Sequence, residues 1–88
     1  MSAAAKIGSR EEIFAYIKNF FVEHFELLES DITMDARLYE DLDLDSIDAV
    51  DMIVELKRVT GKNMDPKSFK EVRTVENLVT AVFDLINN

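Results

Sequence analysis

Apolar residues recur along this chain in four stretches at helical spacing, and no stretch reads as a strand. The first opens at "SREE": Ser9 can cap a helix, and Glu12, three residues on, completes a capping box. Ile13, Ile17, Phe20, Phe21, His24 and Leu28 then mark one face, with His24 on or near it as a partly buried packing residue. Over residues 29–45 turn-forming and acidic residues surround Ile32, Leu38, Leu42 and Leu44. That pattern predicts a long loop pinned to the core by those four side chains. A second helix is expected from "DSID", with Asp45 as N-cap and Asp48 at the third helical position. It runs to about Thr60, where Gly61 stops it. "DPKSF" predicts a short third helix, capped by Asp65 and opened by Pro66, with Phe69 and Val72 facing inward. A fourth starts at Thr74 and turns Val75, Leu78, Val82 and Leu85 or Ile86 to the core. The expected fold class is all-α: a small four-helix bundle with a long loop between helices one and two and a short third helix.

The second helix is apolar on two sides. At about 100° per residue, Ala49, Met52, Ile53 and Leu56 form an ordinary core stripe. Ile47, Val50 and Val54 cluster on the opposite side, and Asp48, Asp51 and Glu55 run beside them. A surface helix is normally apolar on one face only. The extra apolar stripe with its acidic border therefore reads as a docking surface for a basic partner.

Charge sharpens that reading. The 88-residue chain is one small domain with a net charge of −8, which argues against nucleic acid as a partner. Residues 40–55 hold seven acids and no base, and residues 57–73 reverse the sign with six bases against Asp65 and Glu71. With no cysteine and a single histidine, the chain offers neither a disulfide staple nor a histidine-cysteine metal cluster. No apolar run is long enough to span a membrane. "MSAAAK" lacks the apolar core of a signal peptide, so residues 1–8 read as a flexible tail before a domain at 9–88. A cytoplasmic monomer is expected.

The candidate chemistry lies in "EDLDLDSIDAVDM", residues 40–52. Asp41, Asp43 and Asp45 fit positions one, three and five of a calcium loop. Position six should be glycine and is Ser46, position eight is usually apolar and is Asp48, and position twelve should be glutamate and is Met52. Such a loop can neither turn nor close its coordination sphere. Ser46 is the better candidate. It opens the second helix, where unpaired N–H groups and the helix dipole favour a phosphate on its hydroxyl. It has no neighbouring base that would make it a catalytic nucleophile. Capping alone would also account for a serine there.

"DLDLDSIDAVDM" resembles the D-S-L signature of the acyl carrier proteins, and the resemblance extends over roughly residues 10–87. It implies a non-enzymatic carrier whose Ser46 bears 4′-phosphopantetheine, taken from coenzyme A, and whose acyl groups ride as thioesters on that arm. By position it implies that Asp45, Ile47, Asp48, Val50, Asp51, Val54 and Glu55 form the docking face. It also implies that Leu38, Leu56, Met64, Phe69 and Val72 line a space for the acyl chain between helices two, three and four. Phe69 is larger than the residue many fatty-acid carriers place there, so poor sequestration of long saturated chains is expected. The implied partners are a phosphopantetheinyl transferase, an acyl-loading ligase or transacylase, and ketosynthase and modifying enzymes. The sequence departs from the family pattern at Ile47, where leucine is usual, and at Asp43, where many members have glycine. Lys57 and Arg58 replace acids typical of fatty-acid-synthase carriers, which points toward a specialised polyketide-like or aryl-polyene-like pathway. An aminoacyl or peptidyl carrier, a purely structural interaction subunit and an acidic calcium sensor are the competing readings.

Overall fold

The computed structural model describes residues 8–87, so the expected tail lies, but for Gly8, outside the described residues. Four α-helices are present: α1 (Arg10–Phe25), α2 (Ser46–Thr60), the single-turn α3 (Pro66–Lys70) and α4 (Val75–Asn87). No strand forms among the described residues, and the expected all-helical class holds. The local start and stop signals act as chemistry dictates. Ser9 and Glu12 form the capping box of α1, and Asp45 and Asp48 form that of α2. Gly61 ends α2 at φ 75°, a left-handed conformation that needs no Cβ accommodation in glycine. At the start of α3 the Asp65 carboxylate accepts the Lys67 N–H at 2.9 Å.

One boundary differs from expectation. α1 stops at Phe25, because Glu26 turns left-handed at φ 58° and its N–H bonds back to Phe21. Leu28 therefore leaves the helix face and is 67% exposed. His24 packs its ring on Phe20 at 4.7 Å and edge-on to Phe25 at 5.3 Å, yet its side chain remains about half in solvent.

The loop from 26 to 45 is more ordered than its composition suggests. It contains a 3-10 turn at Glu29–Asp31, then inserts Ile32, Ala36, Leu38 and Leu42 into the core, with Leu44 partly buried against it. It also supplies the entrance of α4. The Val75 and Glu76 N–H groups, which have no partner within their own helix, donate to the Ala36 and Met34 carbonyls at 3.0 Å each. The Leu38 N–H in turn donates to the Arg73 carbonyl at 2.8 Å. Thr74 and Asn77 complete the cap by exchanging side-chain and backbone bonds. The loop is thus fixed at its middle to α4 and at its end to α2.

The core joins Ile13, Ile17 and Phe21 of α1 to Met52 and Leu56 of α2 and to Val75, Leu78, Val79 and Val82 of α4. Met64, Phe69 and Val72 close it around α3. Val79 belongs to this set although the sequence pattern was read without it, while Leu85 and Ile86 are only partly buried.

Candidate functional site

The site begins with a backbone constraint. Asp43 has φ 59°, the left-handed region in which side chains other than glycine are strained. This geometry accounts for the glycine usual at that position in the resembling family. Aspartate tolerates the region better than most residues. Replacing Asp43 with valine should cost about 1–2 kcal/mol and with glycine should be neutral or stabilising. Urea unfolding of the two variants measures it.

Two residues later the chain enters α2. One carboxylate oxygen of Asp45 accepts the Ile47 and Asp48 N–H groups, each at 3.0 Å. The Asp48 carboxylate reaches back to the Asp45 N–H at 3.2 Å. These bonds answer the first-turn donors and leave Ser46 with no capping duty. Its side chain is exposed, and its hydroxyl has no hydrogen-bond partner among the described residues. Capping by Ser46 is thereby set aside. Of the N–H groups expected to favour a phosphate at this helix end, Asp45 already occupies two.

Beside Ser46 the apolar stripe stands in solvent. Ile47 is 71% exposed, Val50 57% and Val54 62%, and no other element among the described residues covers them. The acids on its border are differently placed from one another. Asp51 faces His24 of α1, with 3.8 Å between Oδ2 and Nε2. Glu55 does not stand free as a docking acid. Its side chain is 15% exposed, and it accepts the Tyr16 hydroxyl of α1 and a two-point contact from Arg58 at 2.8 and 3.2 Å. Burial pushes its carboxyl up, but the bonds from Tyr16 and Arg58 outweigh that and hold it below the usual carboxylate range. Burial and Glu55 raise the Tyr16 phenol well above its ordinary value, so it remains a donor. Arg58 is thus internally satisfied and Lys57 stands exposed beside it. Of the acids once aligned with a calcium loop, Asp41 is bound by Arg37 through its guanidinium and backbone N–H, which holds its carboxyl low.

The five residues expected to line an acyl space fall beside two different cavities or in the core. A small, partly open cavity, about 10 Å³, lies between Phe21 and Phe25 of α1, Leu38, Tyr39 and Leu44 of the loop, Asp48, Ala49 and Met52 of α2, Phe69 and Leu78. That volume admits about one water molecule. Leu38 and Phe69 line it, whereas Leu56, Met64 and Val72 do not. Leu56 is fully buried in the core. Met64 and Val72 line a separate open groove with Glu71, Asn77 and Leu85. α1 supplies one wall of this cavity, which the expected space between helices two, three and four does not include. The i, i+4 pair Phe21 and Phe25 was the available signal. Tyr16 was also passed over, since a single tyrosine beside an apolar stripe announces no partner.

The phosphopantetheine attachment site family matches residues 15–82. The chain is 44% identical over 75 residues to "Acyl carrier protein 2" of Ralstonia nicotianae, covering 85% of this chain and 93% of that protein. It is 33% identical over 76 residues to "Acyl carrier protein" of Thermotoga maritima, covering 86% of this chain and 94% of that protein. A third similarity, 33% over 73 residues, is to "Acyl carrier protein" of Coprothermobacter proteolyticus, covering 83% of this chain and 89% of that protein. On these similarities, this chain belongs to the acyl carrier proteins, carriers rather than enzymes, with 4′-phosphopantetheine as their covalently attached group.

Proposed function

We propose that residues 9–88 form a carrier domain that holds acyl intermediates on an arm attached at Ser46 and presents them to enzymes of a specialised pathway. The observation that carries this reading is the free, exposed Ser46 hydroxyl at the head of α2, adjoining Ile47, Val50 and Val54. When bound, the arm supplies a thiol that takes the acyl group as a thioester. The chain's own residues do the rest. Asp45 and Asp48 fix the helix start, so the hydroxyl is presented on rigid backbone. The apolar stripe offers area that a partner can cover, and Asp48 and Asp51 steer basic patches toward it, mostly through association rate. A phosphopantetheinyl transferase, a loading ligase or transacylase, and a ketosynthase would share this face in turn.

Two features favour a specialised pathway over primary fatty-acid synthesis. The cavity near the head of α2 holds only about 10 Å³, and the C-terminal half of α2 carries Lys57 where a generic partner would expect an acid. Arg58 is spent on Glu55, so Lys57 is the cleaner probe. Lys57→Glu should improve turnover with a generic fatty-acid ketosynthase about two- to fivefold at low salt and weaken it with the native one, the gain shrinking as salt rises. Equal rates with both enzymes would remove the support for a dedicated partner. The carrier reading itself is tested by intact mass after incubation with a transferase and coenzyme A, then with acyl-loading and aminoacyl-loading enzymes. Gain of one arm followed by an acyl group is expected. Aminoacyl loading alone would shift the reading to a peptidyl carrier, and no gain would contradict both.

A further inference from the structure

A carboxylate on the border of a docking helix is ordinarily a steering charge in solvent. Glu55 is the exception in α2. Tyr16 reaches it from α1, Arg58 reaches it from one turn along α2, and its side chain is nearly covered. The neighbouring acid Asp51 differs: it is half-exposed and meets only His24, at 3.8 Å. We infer that Tyr16 sets the charge pattern of the docking face by holding Glu55 against α1. The negative potential is then concentrated at Asp45, Asp48 and Asp51, and Lys57, exposed and without an ion-pair partner among the described residues, is the nearest uncompensated charge beyond them. The partner that fits is basic opposite the first two turns of α2 and neutral or acidic opposite the third. Tyr16 is a positioning residue: it acts through Glu55 and touches no partner. This inference rests on α2 being the docking face.

A purely structural clasp between α1 and α2 would alter stability alone. Tyr16→Phe separates the two roles, because it removes a neutral hydroxyl and leaves the protein's charge unchanged at neutral pH. Any salt-dependent change in association then reports charge moved, not charge added. The measurement is kcat/KM for modification by a phosphopantetheinyl transferase with a basic docking patch, at low and raised salt. It is made on the native chain, Tyr16→Phe, Glu55→Gln, the double variant and Asp51→Asn. Tyr16→Phe should raise the low-salt value about two- to fivefold, and the gain should fade as salt screens it. In the Glu55→Gln background the same change should have no effect, since no carboxylate remains to be released. Titration of the Glu55 carboxyl by NMR should move up toward the ordinary range in Tyr16→Phe. An equal effect of Tyr16→Phe in both backgrounds, or none in either while Asp51→Asn slows modification, would overturn the inference alone. If Asp51→Asn also left the low-salt rate untouched, the docking face and this inference would fall together.

Discussion

Ser46→Ala should abolish phosphopantetheine attachment while leaving the fold in place. The loss is complete because, among the described residues, no other serine combines exposure, the first position of a long helix and an adjoining apolar face. The chain's other serines are Ser2, Ser9, Ser30 and Ser68. Ser9 is committed to its capping box, and Ser30 sits within the 3-10 turn. The fold should survive because Asp45 and Asp48, not Ser46, satisfy the first turn of α2. A surface change of this kind is usually within about 0.5 kcal/mol. Urea unfolding and intact mass on the same preparation check the two halves together. A stability loss of more than about 1 kcal/mol would mean that Ser46 shares the capping after all.

Phe69→Ala should have the largest effect on stability, about 3–5 kcal/mol. Phe69 is 4% exposed and fills the side of the bundle where the small cavity lies. An 88-residue domain has on the order of 4–13 kcal/mol in total, so the variant stands near the limit of folding. The same substitution should open room beside Met52 and Leu78. Loading a long saturated acyl group should then restore part of the lost stability in Phe69→Ala and shift the side-chain resonances of Met52 and Leu78. In the native chain the same loading should perturb residues around Ser46 and little beyond. Large shifts deep in the native bundle would count against a closed interior.

What could be read from sequence was what local chemistry decides. Ser9 with Glu12, Asp45 with Asp48, and Asp65 before Pro66 each mark a helix start through bonds spanning three residues or fewer. Gly61 marks a stop through its own backbone freedom. The α2 wheel separates the core stripe from an exposed apolar stripe because both are set by rotation about one axis. The failures sit where the signal is non-local or chemically weak. Glu26 ends α1 in a left-handed turn that glutamate does not advertise, which left Leu28 on the wrong side of the boundary. Glu55 lies at the correct angle for the docking border, yet its fate is decided by Tyr16, 39 residues away on another helix. Leu56, Met64 and Val72 are apolar and inward as expected. Which internal space they face depends on how α1 and α3 pack, and spacing along one helix carries no such information. Asp43 is an intermediate case: the departure from glycine was visible, but its consequence needed the φ angle.

The most direct test is to map the modified residue. The native chain would be incubated with a transferase and coenzyme A, digested, and its peptides sequenced by mass spectrometry. One phosphopantetheine on the peptide containing "DLDSIDAV", localised to Ser46, is the expected result. An arm on Ser9, Ser30 or Ser68, or none at all under conditions that modify another acyl carrier protein, would contradict Ser46 as the attachment site.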